Sequence, residues 1–301
     1  MLAFLQKEGV SPALLRELER AREADPPALP ERIPVPLFHY YGREIWEQAI
    51  AALLRGKNLL LAGGKATGKN VLAENLAAAF GRPAWNVSFH VNADAASLIG
   101  MDTFTDGQVR FRPGPVYLCA EYGGFGILDE INMAKNEALA VLHSVLDFRR
   151  MLDVPGYERV PLAPPTRFLA TMNYGYAGTR ELNEALTSRF AVLQMPPITP
   201  ENLDRLLESR CPALKEKYRR QLGQLFFDLQ KKCDGGEISS RALDLRGLLD
   251  ALELMEAGVS SGPALDMGIT NKSFDGYEQS LIRDVMAARI SPRLTRTELF
   301  Q

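Results

Sequence analysis

One stretch constrains this chain more than any other: residues 58–79, NLLLAGGKATGKNVLAENLAAA. Its apolar run, Leu59-Leu60-Leu61-Ala62, reads as a buried strand, and its Leu- and Ala-rich tail reads as a helix. The glycine-rich turn between them spells Gly63-x-x-x-x-Gly68-Lys69, the spacing of a phosphate-binding loop. The glycines let backbone N–H groups converge on phosphate oxygens, and the new helix presents its positive end. Gly63, Gly64, Lys65, Ala66, Thr67, Gly68, Lys69, Asn70 and Val71 are therefore the candidate phosphate-holding positions, with Lys69 supplying the charge. One position departs from the pattern. The residue after the lysine is ordinarily Ser or Thr and here is Asn70.

The 301 residues leave room for a large core and two domains. With 35 basic and 37 acidic residues there is no basic excess of the kind that marks a nucleic-acid-binding protein. No apolar run approaches the ~20 residues of a membrane span. The N-terminal stretch to Asp25 is charged and amphipathic, unlike a signal peptide, so the expected location is the cytoplasm. Cys119, Cys211 and Cys233 are scattered without metal spacing, and His39, His90 and His143 are equally isolated.

A first helix is expected over 11–24, with Ser11-Pro12 at its start. The proline-rich segment 25–36 reads as a linker. A second helix is expected from Tyr41 through Leu54. The aromatic segment Phe38–Tyr41 either walls a nucleobase or is plain core. Strands are expected at 84–90, 125–130, 166–173 and 191–195. Residues 103–111 alternate on both sides of Asp106-Gly107 and predict a tight hairpin. Further helices are expected over 116–121, 136–148 and, capped by Thr179, 178–186, with an irregular stretch or second hairpin at 151–165.

Two of these strands end in chemistry. Phe125–Leu128 runs into Asp129-Glu130, and charge at the end of a buried strand is costly unless it faces a site. Asp129 can hold Mg²⁺ through water and Glu130 can polarise an attacking water. The next strand ends on Asn173, whose amide points to the crevice where such sheets bind ligands. The prolines at 196–200 mark a domain boundary. Beyond it the strong patterns, 201–209, 214–233, 240–257 and 277–289, are helical, with breaks expected at 234–236 and 260–263. The expected domains are 1–36, helix and linker; 37–199, an α/β nucleotide-binding domain; and 200–301, a helical lid.

In this order the motifs resemble the AAA+ ATPases, and within them the MoxR-like and dynein-related group. The resemblance rests on LIG at 98–100, F-x-x-G-P-V at 111–116, LDEINMA at 128–134 and ATMNYGYAGTRELNEALTSRF at 170–190, and covers roughly residues 40–290. The gas-vesicle and Rubisco-activating branches look nearer than the dynein motor. The resemblance implies a P-loop α/β core with a parallel sheet flanked by helices, plus a helical lid. It implies ATP and Mg²⁺ as ligands. Lys69 would be the Walker A lysine, and Asp129 and Glu130 the Walker B pair. Asn173 would be the sensor, and Arg189 an arginine finger reaching a neighbour's nucleotide. Arg241, in Ser239-Ser240-Arg241-Ala242, would be the lid arginine, with Ser where the family usually has Pro. Arg180 would be a second interface arginine. Asn70 and Asp129 would hold the metal. The hairpin would be the group's insertion, facing the ring pore or a partner.

The resemblance further implies a homo-oligomeric ring, a hexamer, that remodels or matures a target enzyme with a von Willebrand factor A partner. Two other functions stay open on the sequence: a nucleotide-dependent scaffold with little hydrolysis, and a GTPase motor subunit of a restriction-type complex.

Overall fold

Helix α1 (Leu2–Lys7) leads into α2 (Pro12–Ala24), which has proline at its first position, where a missing N–H costs nothing. Then come α3 (Arg43–Leu54), β1 (Asn58–Gly63), α4 (Lys69–Phe80) and β2 (Ala84–Ser88). Helix α5 (Ala95–Ile99) precedes the hairpin of β3 (Gly100–Thr105) and β4 (Gln108–Pro113). After α6 (Pro115–Tyr122) and β5 (Phe125–Asp129) stand two short helices, α7 (Asn136–Leu139) and α8 (Leu142–Leu146). The short pair β6 (Met151–Leu152) and β7 (Val160–Pro161) precedes β8 (Arg167–Asn173), α9 (Glu184–Thr187) and β9 (Phe190–Gln194). This computed structural model describes residues 1–174 and 181–301. The chain divides into two units, Met1–Pro196 and Pro197–Gln301.

The first unit is built on a five-stranded sheet of order β2-β5-β8-β1-β9, parallel throughout. Parallel sheets need both faces covered, and alternation along each strand supplies both. Leu59, Leu61, Phe125, Ile127 and Leu169 join one apolar cluster with Leu18, Trp46, Ile50, Leu72 and Leu76 from α2, α3 and α4. Leu60, Leu128, Phe168 and Ala170 join the other with Val116, Cys119, Leu142 and Val145 from α6 and α8. β1 is buried along its whole length, which is why its sequence is a continuous apolar run. Its one polar side chain, Asn58, is satisfied: Oδ1 accepts from Phe168 N at 2.9 Å and Nδ2 donates to Leu146 O at 3.3 Å.

The N-terminal helices belong to this core. Arg22 donates to Ala79 O at 2.8 Å, at the C-terminal end of α4 where carbonyls lack helical partners. Buried Arg82 donates to Ala21 O at 2.7 Å. The hairpin turns on Asp106 and Gly107, both left-handed with φ of 53° and 75°, the geometry a two-residue turn requires.

Two expectations need correction here. The helix expected over 136–148 is interrupted at Ala140-Val141, where His143 N bonds to Ala140 O at 3.2 Å in a tighter turn. The helix before Arg189 starts at Glu184, not near 178. Asn183 caps it, its Oδ1 accepting from Ala185 N at 2.8 Å. Thr179, the expected cap, and Arg180 lie outside the described residues.

The second unit is helical among its described residues apart from one isolated bridge: α10 (Pro200–Arg210), α11 (Glu216–Asp234), α12 (Leu245–Glu256), α13 (Ser261–Gly268), α14 (Gly276–Arg289) and α15 (Arg296–Leu299). Helix α13 was not expected, because Gly262 and Pro263 read as a break. Pro263 instead sits in its first turn, where proline is tolerated. Glycines make its contact with α12. A Cβ on Gly247 would lie 1.9 Å from Gly268 O, and one on Gly268 would lie 2.2 Å from Gly247 O. Gly247→Ala is expected to destabilise this unit by about 1–3 kcal/mol. Gly276→Ala, where a Cβ meets nothing within 4 Å, should be neutral or better. Urea midpoints of the helical circular dichroism signal check both.

Candidate functional site

The loop after β1 is shaped by residues that can enter the left-handed region. Ala66 and Gly68 have φ of 57° and 78°. A Cβ on Gly63 would meet Met195 O at 2.9 Å, so only glycine passes there, while one on Gly64 would meet nothing within 4 Å. Behind the loop, Tyr40 is buried with its ring against Gly68. Its backbone is fixed by Asn75 Oδ1 at 3.1 Å and Trp46 Nε1 at 2.9 Å. Of the two readings of segment 38–41, Tyr40 is core that backs the loop.

Lys69 opens α4 and is 7% exposed. Its Nζ donates to Gly63 O at 3.1 Å, Gly64 O at 2.6 Å and Thr67 Oγ1 at 3.2 Å. Thr67 Oγ1 in turn donates to Gly64 O at 3.0 Å. Burial pushes the Lys69 ammonium down to about 8, against the pull of Asp129 and Glu130 in the other direction. The first N–H groups of α4, at Lys69, Asn70 and Val71, have no helical acceptor and face the start of the helix. Lys65 is exposed and Asn70 half-buried.

Strand pairing brings the acids beside this loop. Gly63 pairs with Asn173, and Leu128 pairs with Ala170. Thr171 Oγ1 donates to Asp129 Oδ1 at 2.6 Å and accepts from Glu130 N at 3.0 Å. Asn173 Nδ2 donates to Glu130 Oε1 at 3.1 Å. Glu130 itself is left-handed, with φ of 53°. Asn132 Nδ2 donates to Asn173 O at 2.7 Å, and Asn132 is 2% exposed. Its Oδ1 has no partner among the described residues. Sequence reading passed over Thr171 and Asn132. Each is a polar residue beside an expected strand end, which was the available signal.

Arg189 is elsewhere. Phe190, its neighbour, pairs with Asn58 at the opposite end of β1 from Gly63. Five strand steps separate the ends, roughly 16 Å. Arg189 donates to Ala185 O and has Asp147 Oδ2 at 4.0 Å. Arg241 belongs to the second unit, exposed in the turn before α12, with its N–H on Ser239 Oγ at 3.4 Å.

Residues 58–190 match the family model of the AAA domain, dynein-related subfamily. That stretch of the chain is a dynein-related AAA domain. The chain is 37% identical over 242 residues to the uncharacterized protein YojN of Bacillus subtilis, covering 79% of each chain. It is 34% identical over 248 residues to the uncharacterized protein SH1500 of Staphylococcus haemolyticus, covering 80% of this chain and 94% of that one. Among solved structures, a point mutant of Thermotoga maritima RuvB overlays with a TM-score of 0.46 at 15% identity, over 82% of this chain and 68% of its own.

An AAA domain takes a nucleotide, and the loop fits one. Gly64 leaves open space, α4 offers N–H groups with no acceptor inside the helix, and Lys69 supplies a buried cation. Among the described residues no three His, Cys, Asp or Glu side chains cluster as a metal site. Mg²⁺ keeps water and phosphate oxygens and takes one or two protein oxygens. Asp129 and the Asn70 amide are oxygen donors of that kind.

The Lys69 environment gives a pH signature. Phosphate requires the ammonium form, so above the free protein's value of about 8 a proton must be taken up on binding. ATP affinity is expected to be flat at lower pH and to fall by up to about tenfold per unit above it, and Lys69→Arg to remove the fall. Fluorescent-nucleotide titrations across this range check it.

Proposed function

We propose that this AAA protein hydrolyses ATP with Mg²⁺ to remodel, activate or mature a protein target. In this reading it acts as a ring of identical subunits, a hexamer, together with a von Willebrand factor A protein. The observation that carries hydrolysis over bare binding is the Asn173–Glu130 hydrogen bond of 3.1 Å beside the loop. A protein that only held nucleotide would have no use for a carboxylate oriented there. Glu130 is assigned as the base for the attacking water, and Asn173 fixes its carboxylate. Residues 63–71 bind the phosphates, with Lys69 turning from the Gly63 and Gly64 carbonyls to the phosphate oxygens. Mg²⁺, when bound at Asp129 and Asn70, would neutralise charge on the β- and γ-phosphate oxygens.

Arg189 fits a trans role because of where the sheet puts it. A guanidinium at the far end of β1 is too distant for its own chain's loop, so its phosphate would be a neighbour's. Arg241 is assigned to the γ-phosphate from the helical unit, on the family resemblance. Remodelling and the partner rest on the MoxR-like resemblance. The hairpin supports them by presenting a cross-strand apolar pair, Phe104 and Val109, at 76% and 65% exposure.

Glu130→Gln is expected to keep ATP binding and lose at least about 100-fold in turnover. Activity per subunit should rise with protein concentration, and Arg189→Ala should cost about 10³-fold. A concentration-independent rate from a protein shown to be monomeric would overturn the trans role. Asn70→Thr should shift the Mg²⁺ dependence of turnover, and superimposable titrations would show that Asn70 does not tune the metal. The partner reading predicts that a von Willebrand factor A protein encoded nearby co-elutes with this chain and alters its ATPase rate.

A further inference from the structure

Thr171 lies two residues before the end of β8 and is 1% exposed. It pairs with Leu61 of β1, and its neighbour Ala170 pairs with Leu128 of β5. Alternation turns Thr171 to the face of Leu61 and Leu169, the face that α4 covers. Its hydroxyl has one proton and two lone pairs, so the two bonds it makes have fixed directions. The proton goes to Asp129 Oδ1 at 2.6 Å, and a lone pair receives Glu130 N–H at 3.0 Å. One buried oxygen thus ties the side chain of the first acid to the backbone of the second. That backbone is left-handed, a conformation a non-glycine residue keeps only where neighbours hold it.

We propose that Thr171 is a positioning residue for the metal site, supplying the hydroxyl that phosphate-binding loops ordinarily place directly after the lysine. The proposal rests on the reading of this loop as an ATP–Mg²⁺ site. In most such loops a Ser or Thr at that position helps hold the metal alongside the strand aspartate. Here the position is Asn70, and the hydroxyl on Asp129 comes from the adjacent strand instead. By occupying Oδ1, Thr171 commits Asp129 Oδ2 to the metal's water shell. By holding Glu130 N–H, it fixes the turn from which Glu130 meets Asn173.

The test uses the full-length protein and a fluorescent ADP analogue, titrated with Mg²⁺ and with EDTA. Wild type is expected to bind more tightly with Mg²⁺. Thr171→Val keeps the side chain's shape and removes the hydroxyl. Its EDTA affinity should stay within about twofold of wild type, while its Mg²⁺ enhancement and its ATP turnover fall by about 10–100-fold. Thr171→Ser should restore both. If Thr171→Val does not fold by circular dichroism, Thr171→Cys, a weak donor of similar size, is read the same way. Unchanged Mg²⁺ enhancement in a folded variant would overturn the proposal and leave the nucleotide site standing. Equal loss with Mg²⁺ and with EDTA would assign Thr171 to the fold alone and overturn it too. A wild type with no Mg²⁺ enhancement would overturn the ATP–Mg²⁺ reading, and the proposal with it.

Discussion

The parallel pairing of β8 between β5 and β1 is the constraint on which the rest of the first unit depends. Its register sets Asn173 beside Gly63 and carries Thr171 to Asp129. A slip of one residue would turn Leu169 out of one apolar cluster and Phe168 out of the other. It would also separate the hydroxyl from the carboxylate. Core packing and site geometry are therefore locked by the same hydrogen-bond ladder. The small Ala170 and the large Phe168 on one face are as much a part of the site as the polar residues between them.

The loop is charged from within. Lys69 is buried and spends its three protons on two carbonyls and a hydroxyl of its own turn. Those bonds brace the turn from within, and a bound phosphate would take their place as acceptor of the Lys69 protons. The cost is a depressed proton affinity, which desolvation imposes on the buried cation and the charges of Asp129 and Glu130 only partly offset.

The nucleotide-binding half was largely legible in the sequence because its signals are local. β1 is a run of apolar residues, the loop is glycine at the spaced positions, and Asp129 and Asn173 are polar ends on apolar strands. What escaped depended on distant pairing. Thr171 looks like an ordinary strand threonine until β5 is placed beside it. Asn132 gains meaning only from its bond to the Asn173 carbonyl. Helix α13 departs from the expectation because Gly262 and Pro263, in its first turn, look like breakers. Gly268 is a contact surface for Gly247, and local propensity says nothing about that. The helix over 136–148 was drawn too long because its apolar spacing continues through Val141, while the hydrogen bonds tighten at Ala140.

The separation of Gly63 from Arg189, at opposite ends of β1, gives the chain a head and a tail. Under the trans role proposed for Arg189, the contact joins two different surfaces, so it cannot be a twofold that closes on itself. Such a contact repeats, and the rotation it imposes decides whether the chain of subunits closes or grows into an open helix. Geometry at the contact, rather than affinity, would then set the number of subunits. Every catalytic centre would also be owned jointly, so one defective subunit would silence a site on its neighbour as well as its own.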